Sequence, residues 1–366
     1  SVTVSASGPL AGFLDGPKPR RVGVVMLSAL GDAVHVVPVV TALKRHAPAT
    51  HVTWVLQPGP ARLVEGHTAV DDIVRFERAG GWREFLTLRR ALRERPFDLV
   101  LAMQPYFKAG LITWFARADV KLGFDRARAR DLTWLFTTHR LPARPPRHVQ
   151  DQFFEFLDAL GVPHGEPDWG LAPTLAAREE ARARLPAFEG PLVGVVVATT
   201  RHEKNWTPER YAQLAVRLRR ETGARCVLLG GTTPLERAAA DVVLASGAEP
   251  IDGLGTPPAV LLGQLDACDL VVSPDTGPLH ICVALNVPVV GLYGYMNPKR
   301  VGPYRRFGEL VVDAFAEPGE DCPVSAPNRP GRMARITVED VFEKARLGLS
   351  RYAPAPPWRR AGTASG

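Results

Sequence analysis

The stretch CDLVVSPDTGPLHICVAL, from Cys268 to Leu285, contains the junction that decides the fold. Its first part, CDLVV, is an apolar run of the kind found in a strand that is buried on both faces. Its last part, ICVAL, is typical of a buried helix. Between them, SPDTGPLH (Ser273–His280) places Asp, Thr, Gly, Pro and His where the strand ends and the helix begins. In open parallel sheets, ligands bind at the carboxyl ends of the strands, so this loop is a candidate binding site.

The triplet Asp275-Thr276-Gly277 also resembles the signature of the aspartic proteases. Those enzymes need two carboxylates that share one proton, and hence two such triplets or a symmetric dimer. This chain carries the triplet once, and its strands alternate with helices, whereas those proteases are all-β proteins. We therefore set the protease interpretation aside.

Strands and helices alternate along most of the chain, which indicates an α/β fold with parallel sheets. The main predicted strands of the first half are RVGVVML (21–27), HVTWVL (51–56) and FDLVLAM (97–103), and PLVGVVVA (191–198) begins a second alternation. A chain of 366 residues is also too long for one ordinary core. The sequence therefore predicts two doubly wound halves, linked by the Pro- and Gly-rich segment 163–173. The predicted parts are a first domain at 20–172, a second domain at 173–335, a helix at 336–352 and a disordered tail at 353–366.

The composition, with 46% hydrophobic and 23% charged residues, is that of a globular protein. The net charge is +7, and residues 1–173 contribute +5 of it, from 22 Lys and Arg against 17 Asp and Glu. This distribution suits an acidic substrate or an anionic surface. We find no basic stripe with interleaved aromatic residues, so we expect no nucleic-acid partner.

Neither the four cysteines nor the nine histidines show the spacing of a metal site. There is no C-x-x-C pair, and three of the cysteines lie in or beside apolar runs, which predicts buried, reduced thiols. Neither H-E-x-x-H nor D-x-D occurs. The sequence therefore predicts no metal site.

The beginning of the chain, SVTVSASGPLAGFLDGPKPR, lacks the basic segment and the apolar core of a signal peptide. The longest apolar stretch, VGVVMLSALGDAVHVVPVV (22–40), is interrupted by Gly31, Asp32, His35 and Pro38. This pattern favours a strand, a turn and a helix over a membrane span. We therefore expect a cytoplasmic protein.

Two loops of the second half carry residue types that suit a phosphate. In DTGPLH, Thr276 and Gly277 would present backbone N–H groups at the start of a helix, where the helix dipole favours an anion. Thr199, Thr200 and Lys204 follow the first strand of that half and could reach a phosphate as well. The alternatives are capping of the helix by Thr276 or by the aspartate before it, and a solvated polar loop.

Two acidic residues follow other predicted strands. Asp32, in LSALGDAV, is a candidate general base, and the alternative is a carboxylate that caps the next helix. Glu236, in LLGGTTPLERAAA, could hold a ribose or belong to an ordinary turn between a strand and a helix. A G-x-G-x-x-G fingerprint is absent, which argues against a dinucleotide site.

Together, in this order and spacing, these stretches resemble glycosyltransferase family 9, the ADP-heptose:lipopolysaccharide heptosyltransferases. LSALGDAVHVVPVVTALKRHAP resembles the opening segment of the family, and SPDTGPLHICVALNVPVVGLYGYMNPKRVGPY resembles its most specific segment. The likeness runs from about residue 21 to about residue 345. It implies the GT-B fold, in which two Rossmann-like domains face each other across a cleft. It also implies an inverting enzyme that uses a nucleotide-sugar as co-substrate and needs no metal or other cofactor.

The resemblance also implies roles for the candidate residues. Asp32 would be the single base that takes the proton of the acceptor hydroxyl. Lys204 and the helix after Asp275 would neutralise the departing ADP. Asp275 would contact hydroxyls of the donor, and His280 would donate to phosphate or satisfy a buried polar contact. The donor-binding residues are then Thr199, Thr200, Lys204, Glu236, Asp275, Thr276, Gly277 and His280.

The sequence thus predicts a glycosyltransferase that moves a heptose, or a related sugar, from an ADP-sugar to the inner core of lipopolysaccharide. Basic residues after strand ends of the first domain would steer this acidic acceptor, unless they are simply solvated. They are Lys108, Arg126, Arg128 and Arg130. The expected partners are the nucleotide-sugar, the glycolipid and, through peripheral contact, the inner face of the membrane.

Three alternatives differ in acceptor, in donor or in catalysis. The same fold and chemistry could serve a soluble natural-product acceptor or another nucleotide-sugar. A nucleotide-binding module without catalysis would not need a base, so the presence of both Asp32 and Lys204 argues against it. A nucleotide-sugar epimerase with a similar fold is disfavoured by DTGPLH.

Overall fold

The computed structural model describes residues 8–77 and 80–352. The chain divides into two compact units, with the division between Leu171 and Ala172. Each unit is a parallel sheet connected by helices, so the α/β class and the two doubly wound halves are confirmed. The predicted tail at 353–366 lies outside the described residues.

The first unit is built on one parallel sheet. Its strands are β1 (Arg21–Val25), β2 (His51–Leu56), β3 (Asp72–Arg75), β4 (Phe97–Ala102), β5 (Ala118–Gly123) and β6 (His139–Arg140). Its helices are α1 (Leu30–His46), α2 (Pro58–Val64), α3 (Gly81–Arg93), α4 (Phe107–Phe115) and α5 (Val149–Leu160). Among the described residues the strand order is β3-β2-β1-β4-β5-β6. The order reverses between β1 and β4, and the loops after these two strands diverge there to leave a crevice.

The second unit repeats this topology. Its strands are β7 (Leu192–Val196), β8 (Arg225–Leu229), β9 (Ile251–Asp252), β10 (Leu270–Pro274), β11 (Val289–Tyr293) and β12 (Val312–Asp313). Its helices are α6 (Leu175–Ala183), α7 (Pro208–Thr222), α8 (Pro234–Leu244), α9 (Pro258–Ala267), α10 (Gly277–Leu285), α11 (Pro298–Val301) and α12 (Val338–Arg351). The described strand order is β12-β11-β10-β7-β8-β9, so this sheet reverses between β7 and β10.

The central strands are apolar because helices cover them. Every residue of β7, β10 and β11 is buried, and Val and Leu dominate these strands. Helix α10 has Pro278 in its first turn and is capped at its C-terminus by Asn286, whose φ of +58° lies in the left-handed region. Helix α12 belongs to the second unit, and Gly348 lets it approach β10, since a Cβ there would lie 2.6 Å from Leu270.

All four cysteines are free and buried, which confirms the prediction of reduced thiols. They are Cys226, Cys268, Cys282 and Cys322. Burial raises the pKa of Cys226 to about 12 and that of Cys282 well above its usual value, so both remain protonated at neutral pH. No helix in the described parts of the chain has the length and the apolar character needed to cross a membrane.

Candidate functional site

The loops after β7 and β10 bring three predicted site residues into contact where the second sheet reverses. Lys204, after β7, donates from Nζ to Oδ2 of Asp275 at 2.7 Å and to the main-chain oxygen of Asp275 at 3.2 Å. His280, on α10, has Nε2 at 3.1 Å from Oδ1 of the same carboxylate. We call these residues the Lys204–Asp275–His280 cluster.

The carboxylate of Asp275 is ionised inside the protein. Burial would raise its pKa, but the hydrogen bond with His280 and the positive charge of Lys204 outweigh burial and lower the pKa to about 2. At neutral pH the side chain of Asp275 can therefore accept hydrogen bonds but cannot donate them. Lys204 directs two of its three N–H donors at Asp275. Its third donor can serve an anion bound beside the cluster.

The loop that carries Lys204 is stabilised by Asn205, which was not among the predicted site residues. Asn205 accepts a hydrogen bond from the N–H of Thr199 at 2.7 Å and donates from Nδ2 to the Thr199 carbonyl at 3.2 Å. The hydroxyl of Thr199 donates to the carbonyl two residues later, at 2.9 Å, so this side chain shapes the loop. Thr200 is exposed. Phosphate contacts by Thr199 and Thr200 stay a prediction.

The start of α10 is not capped by a side chain. Thr276 is the N-cap residue, and its side chain makes no capping hydrogen bond. The carboxylate of Asp275 contacts Lys204 and His280 instead. The first N–H groups of a helix have no acceptor within the helix. The amides of Thr276 and Gly277 therefore remain suited to a phosphate, which the helix dipole would stabilise.

Glu236 has the structural role in the turn between β8 and α8 that was the alternative to ribose binding. It lies in the first turn of α8, where its carboxylate accepts hydrogen bonds from the N–H of Thr233 at 3.1 Å and from the hydroxyl of Thr233 at 2.7 Å. The N–H of Gly231 donates to the same carboxylate at 2.8 Å. This is a capping box that closes the turn after β8. A ribose at Glu236 would have to share oxygens that the turn already uses.

Asp32 lies in the first turn of α1, directly after the crevice-forming end of β1. Its Oδ2 accepts a hydrogen bond from the N–H of Ala29 at 3.2 Å. The side chain is partly exposed, so a substrate hydroxyl can reach it. The structure thus shows the contact at the helix start that was considered as the alternative, and it places the same carboxylate at the reversal of the first sheet. The role of Asp32 as a general base stays a prediction.

Gln104, which was not among the predicted site residues, joins the two loops at this reversal. Its Oε1 accepts from the N–H of Leu27 at 2.9 Å, and its Nε2 donates to the carbonyl of Ser28 at 2.6 Å. The loop after β4 therefore holds the segment between β1 and Asp32. The available signal was a polar residue placed directly after a buried strand, in AMQP.

The four basic residues predicted to contact the acceptor differ in exposure and in ion pairing. Lys108, Arg126 and Arg130 are exposed. Arg128 differs from the predicted basic rim, since its guanidinium is paired with Asp125 and lies 2.8 Å from Oε2 of the buried Glu155. Its side chain is 18% exposed. We therefore correct its role: Arg128 attaches the loop after β5 to α5 and neutralises a buried carboxylate.

The predicted site residues fall in both units. Asp32 and the basic residues lie in the first unit, and the Lys204–Asp275–His280 cluster, the loop at 199–205 and the start of α10 lie in the second. The second set is a compact arrangement of one cation, one carboxylate, one imidazole and free helix amides. Such an arrangement can bind a diphosphate and a polyol together, through donors for the phosphate and acceptors for hydroxyl groups.

The profile of glycosyltransferase family 9 (heptosyltransferase) matches residues 85–317 of the chain. The chain is 28% identical to the lipopolysaccharide core heptosyltransferase OpsX of Haemophilus influenzae, over 90% of this chain and 98% of that protein. It is 30% identical to lipopolysaccharide heptosyltransferase 1 of Escherichia coli, over 89% of this chain and 99% of that protein.

A solved structure shows the same fold over nearly the full length. The structure of E. coli heptosyltransferase WaaC with ADP matches with a TM-score of 0.71 and 24% sequence identity, over 90% of this chain and 99% of that chain. Together with the two doubly wound sheets, this match shows a GT-B fold made of two Rossmann-like domains.

Proposed function

Since the chain belongs to glycosyltransferase family 9 (heptosyltransferase) and is a glycosyltransferase, we propose that it transfers a heptose from ADP-heptose to the inner core of lipopolysaccharide. The observation that carries this proposal is the Lys204–Asp275–His280 cluster beside the uncapped start of α10. The sugar and the acceptor are supported by the names of the relatives, and ADP by its presence with the E. coli enzyme.

In the proposed reaction, one oxygen replaces another on the anomeric carbon of the heptose. The acceptor hydroxyl forms a bond to this carbon while the bond to the β-phosphate oxygen of ADP breaks, and the configuration inverts. Asp32 takes the proton of the hydroxyl. The electron pair of the broken bond stays on ADP, which leaves with an added negative charge.

The departing charge needs donors that are already in place. Lys204 would direct its third N–H donor at the diphosphate, and the amides of Thr276 and Gly277 would bind a phosphate oxygen. Asp275 would accept hydrogen bonds from heptose hydroxyls, and His280 keeps this carboxylate oriented. Within the described residues, no three His, Cys, Asp or Glu side chains are grouped to hold a metal ion. Catalysis without a metal is part of the proposal.

Because the acceptor is a glycolipid, we place the reaction at the cytoplasmic face of the inner membrane. The modest positive charge of residues 1–173 supports an acidic acceptor for the first domain. The exposed Lys108, Arg126 and Arg130 are the cations that would steer it.

A donor screen tests the proposal. Nucleotide release is measured with ADP-, GDP- and UDP-sugars, each with and without a heptose-free lipopolysaccharide core in deacylated, water-soluble form. We expect release of ADP from ADP-heptose that depends on the acceptor and is unchanged by EDTA, and a product whose anomeric configuration is inverted by NMR. Turnover only with another nucleotide-sugar, or only with a neutral soluble acceptor, would overturn the proposal.

A further inference from the structure

The first unit exposes large apolar side chains in the two segments that follow β4 and β5. Tyr106 is 46% exposed and Phe107 is 51% exposed, while Trp114, Leu132 and Leu135 are each between 58% and 60% exposed. Single exposed apolar residues are common on protein surfaces, but large contiguous groups usually mark a binding surface. These five side chains therefore indicate a binding surface if they are contiguous.

Contacts between the two segments make them one surface. The rings of Phe107 and Phe136 lie 6.0 Å apart in an edge-to-face arrangement. Gly110 on α4 packs directly against the turn at 133–136, since a Cβ there would lie 2.6 Å from the ring of Phe136. Phe107 and Trp114 are seven residues apart, so they lie on the same face of α4. We call residues 105–115 and 130–140 together the α4 surface.

The α4 surface is basic as well as apolar. Its two segments contain Lys108, Arg130 and Arg140 against one carboxylate, that of Asp131. Arg140 lies over the ring of Trp134 at 5.3 Å, and Arg126, just before the second segment, covers the same ring at 4.2 Å. Trp134 is itself half-buried. Arginines stacked on such a ring can keep their charge in water while their apolar parts contact a hydrophobic phase.

We propose that the α4 surface docks on an anionic lipid bilayer. Exposed aromatic and leucine side chains would enter the boundary between headgroups and acyl chains, and the surrounding cations would pair with anionic headgroups. The surface lies at the same edge of the first sheet as Asp32, because β1, β4 and β5 are parallel and all three loops follow their carboxyl ends. Docking there would bring a membrane-held acceptor to the loop after β1, and in this respect the inference rests on the proposed function.

Leu132 and Leu135 allow a test that leaves the proposed acceptor contacts intact. Leu132 has a φ of +59°, a conformation that asparagine adopts more readily than leucine, so Leu132→Asn should not weaken the fold. Leu135 is largely exposed, so Leu135→Ser should be tolerated as well. The matched control is the double variant Leu175→Ser with Leu235→Ser, because both of these leucines are exposed but lie in the second unit.

The measurement is flotation of the full chain with vesicles of phosphatidylethanolamine and phosphatidylglycerol, compared with vesicles of phosphatidylcholine. We expect binding to the anionic vesicles that falls as salt rises, roughly tenfold weaker partitioning for Leu132→Asn with Leu135→Ser, and no change for the control pair. Arg140→Gln should weaken binding further at low salt. Thermal unfolding of each variant shows whether it is folded.

Three results would overturn the inference. The first is wild-type protein that does not bind anionic vesicles, or binds phosphatidylcholine equally well. The second is a folded Leu132→Asn, Leu135→Ser variant that binds like the wild type. The third is a self-association that this variant abolishes while vesicle binding persists, because the α4 surface would then be an interface between two copies of the chain.

The deacylated acceptor separates this inference from the proposed function. Heptose transfer to that soluble acceptor without vesicle binding would leave the proposed function standing and overturn docking. Vesicle binding that depends on the two leucines, without any heptose transfer, would support docking and overturn the proposed function.

Discussion

Asp32 has a structural contact that must be separated from its proposed chemistry. Its carboxylate accepts the N–H of Ala29 at the start of α1, and the amide oxygen of an asparagine can accept the same hydrogen bond. We therefore expect Asp32→Asn to keep the thermal midpoint within a few degrees and to lower kcat by roughly a factor of 100 or more, because the base is lost. Steady-state kinetics with ADP-heptose check this. An unchanged kcat would remove Asp32 from the mechanism.

Lys204 and Asp275 have to be changed as a pair to distinguish stability from binding. Lys204→Met removes the cation that faces a buried carboxylate, and leaving that charge unbalanced should cost roughly 2–3 kcal/mol of unfolding free energy. Lys204→Met combined with Asp275→Asn removes both charges and should recover most of this loss. Calorimetry should nevertheless show weak ADP binding in both variants. Recovery of ADP affinity in the double variant would mean that Lys204 acts only by neutralising Asp275.

At the scale of the elements, side chains join two loops of each sheet at the point where the strand order reverses. These are the loops after β1 and β4 in the first sheet and after β7 and β10 in the second. In the first sheet the link is Gln104, which is neutral, and in the second it is the ion pair of Lys204 with Asp275. These links set where the loops stand, and therefore where Asp32 and the start of α10 are presented to a substrate.

Gln104 should act as a positioning residue for Asp32. In Gln104→Glu the carboxylate can still accept from Leu27, but it cannot donate to the carbonyl of Ser28 unless it is protonated. We expect kcat to fall about tenfold at neutral pH, with little change in the KM for ADP-heptose, since the donor-binding residues are in the other unit. Gln104→Ala should lower kcat similarly, but without the partial recovery at lower pH that protonation gives Gln104→Glu. Identical pH profiles for both variants would count against the hydrogen-bond explanation.

Most strands and helices could be predicted from the sequence, but several side-chain contacts between them could not. Runs rich in Val and Leu predicted the strands β1, β7 and β10, because parallel strands that are buried on both faces have a distinctive composition. Apolar residues at helical spacing after β10 predicted α10. The contact between Lys204 and Asp275 was hidden, since it depends on β10 pairing with β7 across 71 residues. Arg128 was misjudged because its partner, Glu155, lies on a helix whose packing no local pattern reveals.

At the scale of the whole molecule, the buried carboxylate of Asp275 should make stability depend on pH in acid. Its pKa is about 2 in the folded chain and 3.8 in the unfolded chain, so its contribution is fully present above pH 3.8 and is lost as the pH falls through about 2. This contribution is about 2 kcal/mol. Denaturant unfolding between pH 5 and pH 2 should show a smaller loss for the Lys204→Met, Asp275→Asn variant than for the wild type. If the unfolding free energies of the two proteins changed with pH in the same way, the lowered pKa of Asp275 would be contradicted.

The charge of the first unit leads to a prediction about the acceptor. Reversing Lys108, Arg126 and Arg130 to Glu should raise the KM for the deacylated acidic acceptor several-fold at low salt, because these exposed cations would steer it. ADP affinity should be unchanged, because the donor-binding residues lie in the other unit. The effect should shrink as salt rises, since exposed charges are screened over about 10 Å at 0.1 M. Arg128→Glu is the contrasting variant: it should lower the thermal midpoint, because the buried Glu155 loses the nearer of its two arginine partners and meets a like charge instead. If the KM for the acceptor changed neither on charge reversal nor with salt concentration, a neutral acceptor would be favoured.

The burial of every native thiol makes the chain a convenient background for spectroscopy. Maleimide dyes react with thiolates, and the pKa of about 12 at Cys226 and the enclosure of the other three sulfurs should keep the folded wild type unlabelled at neutral pH. A single cysteine introduced at the exposed Leu135 would then carry the only fluorophore. A polarity-sensitive dye at this position would shift its emission wavelength when it passes from water into lipid. With a second label in the other unit, the distance between the two labels could be followed during turnover.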